Sequence, residues 1–390
     1  MDQNRLVFAQ ILDHLPLHTF RRLVAKYDGN RYAKRLSCLD QFLMMAFAQL
    51  TARESLRDIE VCLRAHQCKL YRVGIRAPVA RSTLADANES RDWRIYAEFA
   101  QALIGTARRL YVDEPLGVEL AQTVYALDST TIELCLSMFP WAPAMHRGLG
   151  AIKLHTLLDI RGAIPCVIQL SPGKRHDVHM LDELLIEPGA IYVMDRGYFD
   201  YARLYRLHCA GAFFLMRGKR HLRFRRRYSH PVSDRALIVC DQTVGMVGED
   251  APRRYPAPMR RLRVRDPDSG GVIVLLTNQF TLPAATIGAL YRHRWQIETF
   301  FRWIKQHLRI RSFFGTSINA VKTQVWIAVS VYVLIAILRK RLQIQTSLHE
   351  LLQVLSLTLF EQTPLESVLA RGDLHNAGHE ACNQLNLFAD

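Results

Sequence analysis

Hydrophobic and polar positions follow two different rhythms along this chain. In the first part apolar residues recur three to four apart, the spacing of a helix face, over residues 1–20 and 39–50. Ser55 followed three residues on by Asp58 is a helix-start signal and predicts a helix over Ser55–Arg64. Gly74 and Pro78 mark a linker. Arg81–Asn88 then starts a short helix, followed by a longer one through about Leu110. A helix, a connector and a second helix opened by Arg81-Ser82-Thr83 fit a helix-turn-helix-like DNA reader. They fit a plain helical bundle equally well. Asp113-Glu114-Pro115-Leu116-Gly117 closes this stretch, so residues 1–115 are expected to form an all-α N-terminal domain.

Beyond it the pattern alternates. Thr123–Leu136, Ile152–Ile160 and Ala163–Leu170 predict three strands, turned at Arg161-Gly162 and ended by Ser171-Pro172-Gly173, in an antiparallel meander. Asp177–Leu185 reads as a helix capped by Asp177. Ala190–Met194 is wholly apolar, as a strand buried on both faces should be. A helix over Tyr201–Cys209, capped by Asp200, and a strand over Phe213–Met216 complete the series. This order predicts an α/β fold with a ribonuclease-H-like core, a mixed five-stranded sheet with flanking helices, over residues 120–216 and 284–345. Residues 217–283 would interrupt it as a β-rich insertion, with Arg260–Arg265 and Val272–Thr277 as its clearest hairpin. The apolar run Val325–Leu338 is fourteen residues long, short of the about 20 needed to cross a bilayer. It reads as a buried helix, with no membrane partner. Ser347–Phe360 is a last amphipathic helix, and 361–390 reads as a loosely ordered tail in which His375, His379 and Cys382 are solvated.

Charge sharpens this picture. The chain carries a net charge of +15 with pI near 9.7. Residues 212–265 hold fourteen Lys or Arg against four acids, ten of those fifteen charges. One segment therefore generates most of a field that attracts a polyanion, most simply nucleic acid. Within it Arg225, Arg226 and Arg227 lie between Phe224 and Tyr228, a pattern for backbone contact with DNA or for a solvated charged loop. The eight cysteines contain no C-x-x-C pair, and Met1–Arg5 lacks signal-peptide character. Both point to a reducing, cytoplasmic setting.

Candidate chemistry lies in three places. Asp128 stands deep in the first strand, where a carboxylate is costly without a counter-ion, and Asp195 ends the fourth. In a sheet of this order those strands are neighbours, so the two carboxylates would face each other, and a divalent metal is the natural remedy for their repulsion. The third place is Tyr291–Lys305. Wound as one helix, Tyr291, Arg294, Glu298, Arg302, Lys305 and Arg309 fall within roughly 80° of one another. One carboxylate among cations suits a site where metal and phosphate meet. An amphipathic helix with a solvated ion-pair face gives the same pattern.

Together these segments resemble the DDE transposases of bacterial insertion sequences, in the group called family four. Leu127-Asp128-Ser129-Thr130-Thr131-Ile132 is similar to the first-Asp motif, and Met194-Asp195-Arg196-Gly197-Tyr198 to the second. Tyr291-x2-Arg294-x3-Glu298-x6-Lys305 is similar to the signature around the catalytic Glu. The likeness extends to Arg81-Ser82-Thr83-Leu84 and to Asn383–Phe388, and so covers essentially the whole chain. It implies strand cleavage and strand transfer at the terminal inverted repeats of an insertion sequence, with those double-stranded ends and the target DNA as partners. A homodimer would form the synaptic complex. Asp128, Asp195 and Glu298 would hold two Mg²⁺ about 4 Å apart, with Mn²⁺ as a substitute. Tyr291, Arg294 and Lys305 would contact DNA, and Arg302, from the same stripe of cations, is expected to join them. Relatives stack a flipped base on a tryptophan of the insertion. Residues 212–283 contain none, so either Tyr228 or Tyr255 takes that role or the feature is absent. The alternative is a catalytically silent DNA-binding relative that inhibits transposition.

Overall fold

The computed structural model describes residues 4–76, 80–142, 144–146, 149–219, 222–232, 234–265, 270–307 and 313–370. Up to residue 110 the described residues form helices only: α1 (Val7–Leu12), α2 (Leu17–Lys26), α3 (Cys38–Leu50), α4 (Leu56–Ala65), α5 (Gln67–Leu70), α6 (Arg81–Ser90) and α7 (Arg94–Leu110). Local chemistry sets two of their starts. Ser37 and Asp40 form a capping box on α3, and the Ser55 side chain accepts from the Asp58 N–H on α4.

The strands are β1 (Val124–Cys135), β2 (Ala144–His146), β3 (Leu149–Asp159), β4 (Ile164–Pro172), β5 (Ile191–Met194), β6 (Phe213–Arg217), β7 (Phe224–His230), β8 (Ile238–Met246), β9 (Met259–Arg265) and β10 (Val272–Thr277). Between them lie α8 (Met180–Glu183), α9 (Tyr201–Cys209) and α10 (Ala251–Arg254). After them come α11 (Ala284–Arg292), α12 (Trp295–His307), α13 (Ile318–Arg341), α14 (Leu348–Thr358) and α15 (Leu365–Ala370). β1, β3 and β4 pair antiparallel, while β5 runs parallel to both β1 and β6.

The sheet does not stop at five strands. It runs β3-β1-β5-β6-β10-β9-β8-β7, with β2 and β4 both paired to β3. The basic insertion therefore extends the core sheet rather than standing beside it, and β10 covers the edge that β6 would otherwise leave open. A bidentate pair ties the extension together: Arg260 donates to both Asp241 oxygens, at 2.9 and 2.6 Å, with both side chains buried.

Side-chain alternation separates two cores. Ala126 and Val193 belong to a large cluster on one face, which includes α12, α13 and the N-terminal helices. Leu127, Tyr192 and Met194 belong to a smaller cluster beneath α8, α9 and α10. α13 is 24 residues long and buried almost all round, against α7, α3, α6 and α14. The fourteen-residue apolar run is its middle. Its length would suffice to cross a bilayer, but here it lies inside the protein.

Three sequence expectations need correction. The stretch 291–305 is not one helix, because α11 ends at Arg292 and α12 starts at Trp295, with His293-Arg294 in a turn between them. Asp177–Leu185 is a 3₁₀ turn (Asp177–His179) followed by the four-residue α8, and Asp177 makes no cap. Asp200 does cap α9, through the Arg203 N–H. The segment after residue 360 holds α15, whose Leu365, Val368 and Leu369 are buried. His375, His379, Cys382, Asn383–Phe388 and Arg309 lie outside the described residues.

Candidate active site

β1 and β5 pair in parallel with Leu127 opposite Met194. The next residue on each chain is an acid, Asp128 and Asp195. Each follows its strand's alternation onto the face of Ala126 and Val193, the face that α12 covers. α12 brings Glu298 to the same place in its first turn. The connection is direct: Arg294 Nη1 lies 3.5 Å from Asp128 Oδ2, and Arg294 Nη2 lies 2.7 Å from Glu298 Oε1. The break between the helices makes this possible. It frees Arg294 from the helix face and lets one guanidinium reach two acids 170 positions apart in sequence.

The electrostatics are those of crowded anions. Burial is the main cause that pushes the Asp128 carboxyl up to about 6, and the Asp195 and Glu298 charges add to it. Arg294 and the Ser129 N–H, which donates to Asp128 Oδ1 at 2.8 Å, work in the opposite direction. Tyr291 is buried, with its ring centroid 5.9 Å from the Arg294 guanidinium carbon. Burial holds its phenol above the ordinary value. Arg302 and Lys305 are exposed, four and seven residues beyond Glu298 on α12, and so share its side. Among the described residues no three His, Cys, Asp or Glu side chains stand close enough to hold one ion. The Arg294 guanidinium lies between Asp128 and Glu298 as their counter-charge.

Arg225, Arg226, Arg227 and Tyr228 are exposed on β7, the far edge strand. Six strand spacings separate β1 from β7, about 29 Å at the usual inter-strand distance. Tyr255 is 1% exposed and offers no ring to a base, whereas Tyr228 is 58% exposed.

Residues 119–334 match the family described as Transposase DDE domain, and residues 3–76 match a domain of unknown function. The first match spans more than half of the chain. The chain belongs to the DDE transposase family. A protein named as the transposase y4zB of Sinorhizobium fredii (strain NBRC 101917 / NGR234) is 33% identical over 73% of this chain and 79% of its own length. One named as the transposase for insertion sequence element IS5377 of Geobacillus stearothermophilus is 31% identical over 62% of this chain and 61% of its own. A solved piggyBac transposase synaptic complex with hairpin DNA aligns with 95% of this chain and 80% of its own, at 9% identity and a TM-score of 0.42, too low to carry weight. This transposase thus belongs to a family of DNA-cleaving and DNA-transferring enzymes that use divalent metal ions.

One cluster beside the acids escaped the sequence reading. On the opposite face of β1, Ser129 Oγ donates to Asp177 Oδ1 at 2.7 Å, and Lys153 Nζ donates to the same oxygen at 3.0 Å. The available signal was Lys153 and His155, two polar residues two apart on one face of a mainly apolar strand.

Proposed function

We propose that this transposase cleaves and joins DNA strands at the terminal inverted repeats of an insertion sequence, with Asp128, Asp195 and Glu298 as the ligands of divalent ions. The observation that carries this reading is the double ion pair of Arg294, which draws together acids from β1 and α12 beside the acid that ends β5. The strand order β4-β3-β1-β5-β6, three antiparallel and two parallel, supports a ribonuclease-H-like core. The residues fit the metal. Three hard carboxylate donors suit Mg²⁺ or Mn²⁺ rather than a soft-ligand ion. A half-buried Asp128 with a raised pKa is a place where a cation relieves like-charge repulsion. Glu298, 52% exposed, is free to turn from Arg294 toward such an ion.

A bound divalent pair would lower the pKa of a water or of a DNA 3′-hydroxyl and stabilise the leaving oxygen. The chain's own groups do the rest. Arg294, once released from the carboxylates, and the exposed Arg302 and Lys305 offer donors to phosphate oxygens beside the acids. Tyr291 stays packed under them and fixes the Arg294 turn. At the other end of the sheet Arg225, Arg226 and Arg227 can grip the backbone about 29 Å away, roughly eight or nine base pairs at 3.4 Å per step. Two copies would bring two ends together, as the family resemblance implies. Replacing Glu298 by Gln should abolish metal-dependent nicking of DNA that carries the element's own ends and leave DNA binding intact. Cleavage that persists in that variant refutes the assignment.

A further inference from the structure

The polar cluster beneath β1 has no part in the reading above, yet it touches β1 directly beside Asp128 and the turn that follows Asp195. Asp177 Oδ1 accepts from Ser129, the residue directly after Asp128. It also accepts from Lys153, whose ammonium donates further to the Arg175 carbonyl at 2.9 Å. His155 is 1% exposed; its Nδ1 lies 3.9 Å from the same oxygen, and its Nε2 shares a hydrogen bond with Ser171 Oγ at 2.7 Å. The 3₁₀ turn that carries Asp177 packs against the turn Arg196–Tyr198, which directly follows Asp195. Tyr198 is buried there, and after burial the Asp128 and Asp177 carboxylates push its phenol further up while Ser129 draws it down. An ion pair with side chains only 16% and 31% exposed is expensive to desolvate and contributes little to stability for its cost. Its placement is what needs a reason.

We propose that Asp177 is a positioning residue. Through Ser129 and the Arg196–Tyr198 turn it holds Asp128 and Asp195 abreast against the pull of a bound cation, and so sets the metal affinity of the site. This rests on the reading of those two acids as metal ligands. Mg²⁺ demands near-ideal octahedral geometry, so a small drift in the backbone at residue 128 is felt as lost affinity; Mn²⁺ takes the same hard oxygen ligands and reports on the same site. Partners standing behind metal ligands are typically worth roughly 10- to 100-fold in affinity.

The test is Mn²⁺ binding to the full chain without DNA, followed by electron paramagnetic resonance, with thermal melting and DNA binding measured in parallel. Asp177→Ala and Ser129→Ala should each raise the half-saturating Mn²⁺ concentration by roughly 10- to 100-fold. The double variant should go no further than the worse single one, because both cut the same link. Asp177→Asn keeps an acceptor for Ser129 and should fall between wild type and Ala. DNA binding should not change. If Asp177→Ala lowers the melting temperature while Mn²⁺ binding stays at wild-type strength, Asp177 is only a structural pair and the proposal is wrong. If Asp177→Ala does not fold, Ser129→Ala decides by the same criterion. Asp128→Asn separates the two levels: wild-type Mn²⁺ binding in that variant overturns the ligand assignment, and this proposal with it.

Discussion

Replacing Asp128 by Asn in the metal-free protein should make it more stable at neutral pH, a result unusual for a residue at the centre of a site. The fold holds this carboxyl at about 6, against an ordinary value of 3.8, chiefly through burial. A difference of roughly two is worth about 3 kcal/mol at 1.36 kcal/mol per pKa unit. The side chain is 22% exposed, so solvent screens little of that amount, which is already net of the opposing charge of Arg294 at 3.5 Å. Because the folded-state pKa is raised, the folded protein binds the proton more tightly than the unfolded chain. The resulting advantage is fully present below pH 3.8 and is lost as pH rises to about 6. Asn carries no charge to desolvate and still accepts from the Ser129 N–H. In the presence of a chelator the variant should therefore gain about 1–3 kcal/mol over wild type at pH 7.5, and the gain should vanish near pH 4. Urea denaturation at a series of pH values measures it. Mg²⁺ should then stabilise the wild type and not the variant. A variant that is less stable at pH 7.5, or a difference independent of pH, would show that Asp128 is not the strained anion described here.

Other outcomes follow from the same geometry. Changing Arg225, Arg226 and Arg227 together to Gln should weaken DNA binding across all sequences and flatten the plot of log affinity against log salt by about three. A slope unchanged from wild type would place the DNA elsewhere. Asp241→Ala strands the buried Arg260 guanidinium and should cost about 3–5 kcal/mol in denaturation. Replacing Asp241 and Arg260 together with Leu and Met should restore most of that loss, and failure to do so would mean that the pair contributes more than mutual compensation. The Glu298→Gln and Asp177 variants complete the set, the first read by nicking and the second by Mn²⁺ binding.

Most of the elements were legible because their signals are local. Ser55 with Asp58, the apolar run Ile191–Met194 and the hairpin strands 260–265 and 272–277 each announce themselves within a few residues, and each forms where expected. Asp128 was legible for a different reason: a carboxylate in the middle of a strand contradicts its surroundings. Asp177 was misread because an acid before a stretch with helical spacing looks the same whether it caps a helix or binds a lysine 24 residues earlier. Arg260 was counted among the charges that reach outward, but its partner Asp241 lies on the neighbouring strand, and pairing removes it from the surface field. The helix break at His293-Arg294 was invisible because no Gly or Pro marks it.

Residue order alone determined which candidate groups the chain holds: three acids, the cations that flank the third, and an arginine-rich segment that dominates the charge. It determined the period of each element too, since alternation and helical spacing are properties of neighbours in the chain. Strand order already implied that Asp128 faces Asp195; what stands between the acids was decided only by tertiary structure. Parallel pairing of β1 with β5 sets Asp128 beside Asp195, and the packing of α12 on β1 delivers Arg294 and Glu298 to the same face. The physical reason is that contacts between residues far apart in sequence depend on how strands are ordered and which faces they bury, and no local pattern carries that information.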